Sequence, residues 1–268
     1  VAERFLKSIV NLLSLPIVVI AWAAETWNIW GIRSDINRCL NVVDSVKITL
    51  PTTFLRSLIA AEDHRNACHL GVDPIAVIRA IYVRLLLGHF QGASTIEQQF
   101  VRVVSGRYEK KLARKIYEQL LAIAVSRRRS KHQIAIAYLS VAFYGSAKIG
   151  VAGLHARLGN DLSLARLNEI RGMIARLKYP EPLKPTSAWQ RKIRQRIEYI
   201  SLREGRMSSS NYGSVWSDGA GAEPAASRIA AVRDCRQNQS GQRRTDSRQC
   251  NQDTDHLVAH GFFSPPPA

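Results

Sequence analysis

Apolar positions run through this chain in two regimes. From Ser8 to Ala24 the stretch SIVNLLSLPIVVIAWAA is apolar all round and carries no charge over 17 residues. From Pro51 to about Arg206, apolar residues instead return at three- and four-residue spacing, the period of a helix with one buried face. In TTFLRSLIAAEDHR, Leu55, Leu58, Ile59 and Glu62 share one stripe. In DPIAVIRAIYVRLLLG, Asp73 is placed as N-cap, Pro74 as the first helical residue and Gly88 as the stop. STIEQQFVRVVSG, KKLARKIYEQLLAIAVSRR, SKHQIAIAYLSVAFYG and SLARLNEIRGMIARLKYP predict further helices. Strand-like alternation is nearly absent, so the expected fold class is all-α, in one domain of about 150 residues. Residues 25–50 read as a connector, with a short strand at SVKITL as one option. After Arg206 the periodicity ends in a run rich in Ser, Gly, Gln and Arg, which lacks the apolar surface to offset its ordering entropy.

The apolar run is at the lower edge of what spans a bilayer. Arg4 and Lys7 precede it, and Trp22, Trp27 and Trp30 fall where an interfacial aromatic belt belongs. An uncleaved single-span anchor is the expectation, with a buried soluble helix and a cleaved signal peptide as alternatives. The expected division is a cytoplasmic segment over 1–7, an anchor over 8–24, the connector over 25–50, the helical domain over 51–204 and a disordered tail over 205–268. The domain then lies across the membrane from the cytoplasm.

A formal net charge of +17 adds that some polyanion is a partner. Nucleic acid, an anionic membrane surface and a phosphate-bearing substrate fit that field equally. The basic residues are interleaved with helical core positions and no recognition motif accompanies them, so nucleic acid is not expected. Cys39, Cys68, Cys235 and Cys250 show no C-x-x-C spacing, which indicates neither a zinc site nor a disulfide framework.

Candidate chemistry begins at AAEDHRNACHLG. Glu62 ends an apolar stripe, where partial desolvation suits a carboxylate to proton transfer near neutral pH; a helix-end carboxylate satisfied by an amide or an Arg is the plainer option. Ser94-x-x-Glu97 and Thr95-x-x-Gln98 both read as capping boxes, so a helix starts there with amides that could face an anion. Arg102, Lys110, Arg114 and Lys115 could surround the same anion, with Arg107 as an alternative to Lys110. Glu118 lies one turn after Arg114, the spacing of an ordinary ion pair.

Four segments in order, EDHRNACHLGVDPIAVIRA, GASTIEQQFVR, RKIYEQLLA and AYLSVAFYG, resemble the motifs of the peptidoglycan glycosyltransferases, glycosyltransferase family 51. Glu62, Asp63, His69 and Gly71 match E-D-x-x-F-x-x-H-x-G. Gly92, Ser94, Thr95, Ile96, Gln98 and Gln99 match G-G-S-T-I-T-Q-Q-L-x-K-N, and Arg114, Lys115 and Glu118 match R-K-x-x-E. EIRGMIARLKYPEP resembles the family's Pro-ended closing helix, and the Arg-bearing RKIRQRIEYI follows it.

The resemblance implies a lysozyme-like, two-lobed domain that polymerises glycan strands from lipid II with inversion, releasing undecaprenyl pyrophosphate. It assigns Glu62 as the base and Glu118 as the second essential carboxylate, near the pyrophosphate and able to act through Mg2+ or Mn2+. Ser94, Thr95, Gln98, Gln99, Arg102, Lys110, Arg114 and Lys115 become substrate-binding residues, and Asp63 and His69 supporting ones. It implies a single-pass protein of the bacterial inner membrane, facing the periplasm, with lipid II, the growing glycan and the membrane as partners. No Ser-x-x-Lys occurs, so cross-linking would fall to separate transpeptidases.

Departures from the motifs lie in the supporting residues. Asn66 stands in place of Phe, Ala93 of Gly, Glu97 of Thr, and Arg102-Val103 of Lys-Asn; Gln133, Ile136 and Ser140 occupy the polar positions of the fourth motif, E-I-L-E-x-Y-L-N. A catalytically impaired, membrane-anchored binding or scaffold protein is therefore one alternative, and a lysozyme-like lytic enzyme another.

Overall fold

The computed structural model describes residues 2–89, 92–108 and 112–209, all within one compact unit. Ten α-helices and one two-stranded ribbon build these residues: α1 (Ala2–Thr26), α2 (Ile32–Ser45), α3 (Thr52–Glu62), α4 (Pro74–Leu87), α5 (Ile96–Ser105), α6 (Leu112–Ser126), α7 (Lys131–Val141), β1 (Phe143–Gly145), β2 (Lys148–Ile149), α8 (Gly150–Leu158), α9 (Leu167–Lys178) and α10 (Ser187–Ser209). The all-α expectation holds.

The boundaries expected at both ends of the domain need correction. Residues 32–45 are helix α2, not connector, because Ile32, Ile36, Cys39 and Val43 repeat at helical spacing and are all buried. SVKITL forms no strand: Ser45 ends α2 and residues 46–50 take no regular structure. At the other end α10 continues through Ser209, past the expected tail boundary at 205, because Glu204 is buried and ties the helix down. Its carboxylate accepts from Ser57 of α3 at 2.5 Å and from Arg171 of α9 at 2.6 Å. The rest of the expected tail, residues 210–268, lies outside the described residues.

The helices sort into two packing groups. One is α3, α9 and α10; the other is α2, α5, α6 and α7, with α1 laid on α6. The ribbon and α8 join α7 to α9. Local signals set the ends of most elements. Asp73 caps α4 by accepting from the amide of Ala76, Pro74 follows it, and Gly88 stops the helix at φ 67°. Ser130 and Gln133 form a complete capping box on α7, which gives one residue that departs from the fourth motif a local role.

Helix α1 supplies a 22-residue segment, Phe5–Thr26, long and apolar enough to cross a membrane. Leu12, Leu13, Leu15, Val19, Ile20 and Trp22 are exposed on it. Helix α4 lies beside it and leaves Ile78, Ile81, Tyr82, Leu85 and Leu86 exposed at i, i+3, i+4, i+7 and i+8. A helix with its apolar stripe turned outward is unusual in water and suited to lipid.

Candidate active site

Glu62 is the last residue of α3 and stands where the two packing groups meet. Its Oε1 accepts from Arg196 of α10 at 2.7 Å, and its Oε2 from the side-chain amide of Gln99 of α5 at 3.1 Å. The Gln99 carbonyl in turn accepts from the Tyr138 hydroxyl of α7 at 2.7 Å, which fixes the amide with its NH2 toward Glu62. The carboxylate is thus held from both sides. The apolar stripe leads to it, but its immediate partners are a guanidinium and an amide. Arg196 also donates to the carbonyl of Ala61 at 2.8 Å and stacks on Tyr199 with its guanidinium 4.8 Å from the ring centre.

Behind Glu62 the chain turns sharply. Asp63 is buried and both its oxygens lie 3.0 Å from His69 Nε2, while Asn66 donates to it at 3.1 Å. Burial alone would push this carboxyl up; facing His69, its hydrogen bond, Lys131 and the Asn66 amide outweigh that and hold it below the usual range. Gly71 closes the turn at φ +91°, where a Cβ would lie 2.8 Å from the carbonyl oxygen of Ala122, so no other residue fits.

The Asp63 environment predicts a pH dependence. A carboxyl whose folded pKa is depressed contributes stability that is present above its unfolded value, about 3.9, and lost as pH falls through the folded value. Asp63→Asn should therefore be less stable than the parent at pH 7, by roughly 3 kcal/mol. That deficit should close as pH falls below about 4. Thermal unfolding in detergent across this range measures it, and a deficit independent of pH would contradict it.

The second cluster surrounds Glu118, which is 1 % exposed on α6. Arg102 of α5 donates to both its oxygens, at 2.7 and 3.1 Å. Arg114 pairs with Oε1, and Lys115 lies 3.4 Å from Oε2. Lys115 also donates to the Ser94 hydroxyl at 2.8 Å and to the Gln98 carbonyl at 3.4 Å. Burial, together with neighbouring Arg102 and Arg114, lowers the Lys115 pKa against the pull of Glu118. Three cations thus face one carboxylate, and the side-chain nitrogen of Gln98 is buried beside them without a partner. This excess of positive charge with a spare donor is what a diphosphate requires.

Several details differ from expectation. The amides at the start of α5 do not form an open anion cradle: Thr95 caps that of Gln98 at 3.3 Å, and Asp63 takes that of Ile96 at 3.4 Å. The Ser94–Glu97 box does not form either, because Ser94 turns to Lys115 and Glu97 to Lys131. Thr95 supports the site rather than facing it, with its hydroxyl bonded to the carbonyl of Gly71 at 2.7 Å. Arg107, the alternative to Lys110, sits over the Tyr117 ring at 4.2 Å and reaches Asp35 at 3.4 Å, away from Glu118. Lys110 itself lies outside the described residues.

Among the described residues, the carboxylates and histidines close enough to share an ion are Asp63, His69 and Glu97, with ligand atoms within 4.8 Å of one another. Lys131 already places its ammonium on this group, 2.5 Å from Glu97 Oε1. Among the described residues Glu118 belongs to no such group, and both its oxygens are taken by protein cations.

The sequence reading missed Arg196, Tyr138 and Lys131. Arg196 is one of several basic residues in RKIRQRIEYI with no local mark to separate it, and Tyr138 reads as an ordinary core position of α7.

The family model described as Transglycosylase matches residues 40–204. The chain is 32% identical over 185 residues to penicillin-binding protein 1A of Escherichia coli, covering 68% of this chain and 22% of that protein. It is 32% identical over 167 residues to penicillin-binding protein 1A of Aquifex aeolicus, covering 61% and 23%. The protein of the same name from Rickettsia felis is 34% identical over 163 residues, covering 58% and 20%. The chain thus spans about a fifth of the length of these curated relatives.

Proposed function

The chain belongs to the Transglycosylase family, and on that premise we propose that its helical domain polymerises peptidoglycan glycan strands from lipid II. The observation that carries this reading is the pairing of two unlike sites on α5. Gln99 bonds Glu62, while Gln98 accepts from Lys115 and Arg102 pairs with Glu118. One side of the helix therefore touches a carboxylate able to take a proton, and the adjoining side touches a cradle for a departing diphosphate.

In the reaction proposed, the 4-hydroxyl of one disaccharide attacks the anomeric carbon of another. Its proton passes to Glu62, and undecaprenyl pyrophosphate leaves with its electron pair. The α-linked donor becomes a β-1,4 bond, which needs the base on the face opposite the leaving group. A pyrophosphate is a weak base and departs without protonation, so Arg102, Arg114, Lys115 and the Gln98 amide serve it by neutralising charge. Any divalent ion, Mg2+ or Mn2+, would arrive on the diphosphate rather than on a resident carboxylate site, because the oxygens of Glu118 are already occupied.

Helix α1 anchors the domain in the bacterial cytoplasmic membrane, with the site on the extracytoplasmic face. The outward apolar stripes of α1 and α4 support this, since together they would sink the edge of the domain into the lipid that holds the substrate's tail.

The test is incubation of the full chain with labelled lipid II in detergent and Mg2+, with products separated by size. A ladder of growing glycan supports the reading. Shortening of preformed glycan without growth from lipid II would replace it with a lytic activity, and bound but unchanged lipid II with a scaffold role.

A further inference from the structure

Two of the departures from the motif pattern touch one another. Asn66 and Glu97 are 31 residues apart in sequence, yet the Asn66 side-chain nitrogen donates to Glu97 Oε1 at 3.3 Å as well as to Asp63 Oδ2 at 3.1 Å. All three residues are buried, at 3, 1 and 5 % exposure. Lys131, the first residue of α7, adds its ammonium 2.5 Å from Glu97 Oε1 and 3.4 Å from His69 Nδ1. His69 presents Nε2 to Asp63 and turns its Nδ1 toward Lys131. Five side chains from three places in the chain close one polar network directly behind Glu62.

We propose that Asn66 and Glu97 are a single coupled replacement, counter-charged by Lys131, and that the pair acts as positioning residues for the turn that carries Glu62. Each is sensible only with the other. With Phe at 66, the amide that bridges the two carboxylates is gone, and Glu97, whose Oε2 already has no partner, loses one of its two ligands. With Thr at 97, Lys131 is left partly buried without its carboxylate, and the Asn66 amide keeps Asp63 alone. Leaving buried polar groups unpaired is costly, whereas replacing both partners together can be nearly neutral. The departures at these two positions are therefore compensated, and they do not by themselves argue for lost activity.

A double-mutant cycle tests this on the full chain: Asn66→Phe, Glu97→Thr and both together, followed first by thermal unfolding, which needs no substrate. Each single change is expected to lower the midpoint by about 5 °C or more, and the pair to lie above the worse single. Additive losses overturn the coupling. If Asn66→Phe alone does not fold, recovery of folded protein on adding Glu97→Thr is the supporting result, and failure of the pair to fold overturns it. The positioning role rests on the proposed polymerase reading and is read separately. Glu97→Gln keeps the side-chain volume and removes the charge that holds Lys131. It should lower kcat about tenfold with KM unchanged, and Glu97→Asp should recover part of the loss. A parent that polymerises with Glu97→Gln at the same kcat overturns positioning. A parent that makes no polymer overturns the polymerase reading and, with it, the positioning role, while the unfolding cycle still decides the coupling.

Discussion

Glu62→Gln is expected to lower polymerisation of lipid II by about 10³-fold while lipid II still binds. The carboxylate stands where the two packing groups meet and its side chain stays 16 % exposed, with Arg196 on one oxygen and Gln99 on the other. An amide at this position keeps the shape and an oxygen for Arg196 but cannot accept the proton of a sugar hydroxyl. It also leaves the Arg196 cation facing a neutral amide in place of its counter-charge. Arg196 is only 10 % exposed, so an unfolding midpoint lower by about 5 °C should accompany the kinetic loss. Single-turnover polymerisation together with lipid II binding separates these effects. Activity within a few-fold of the parent would remove Glu62 from the role of base, and loss of binding along with turnover would make it a substrate-holding residue instead.

The parts of this fold that could be read from sequence are those whose signal is local. Helix α4 announced both ends because Asp73, Pro74 and Gly88 act within one turn of where they stand. The stripe of Leu55, Leu58 and Ile59 gave α3 and delivered Glu62 to its end. Helix α2 carried the same kind of signal in Ile32, Ile36, Cys39 and Val43, but its mean polarity disguised it as a connector. The candidate site was legible as residue types and only partly as geometry. Arg102, Arg114, Lys115 and Glu118 do assemble. The expected amide cradle does not, because the first amides of α5 are consumed by Thr95 and Asp63. Arg196 reaches Glu62 across 134 residues, and no pattern within a window of either residue encodes that contact. The same limit explains why Asn66 and Glu97 read as two separate losses: their compensation exists only once α5 docks on the turn after α3.

At the other cluster, Glu118→Gln should act in two opposed directions. Arg102, Arg114 and Lys115 converge on this one carboxylate, so its removal leaves three neighbouring cations repelling one another. Their side chains are 29, 19 and 30 % exposed, and solvent therefore screens part of that repulsion. The unfolding midpoint should fall by about 5 °C. Inorganic pyrophosphate should bind about tenfold more tightly than to the parent, because the anion no longer competes with a carboxylate a few ångströms away; a like charge at that distance is worth of the order of 1–3 kcal/mol at an effective dielectric near 20. Pyrophosphate should accordingly restore the lost midpoint, since it binds the folded chain and takes over as counter-charge. Turnover should nevertheless fall by about 10²-fold, because Arg102 and Lys115 lose the anchor that aims them at the leaving group and the product is held too well. Calorimetric titration with pyrophosphate, unfolding with and without it, and lipid II polymerisation give the three readings. Unchanged pyrophosphate affinity in Glu118→Gln would show that the diphosphate does not lie in this cradle, whatever the effect on turnover.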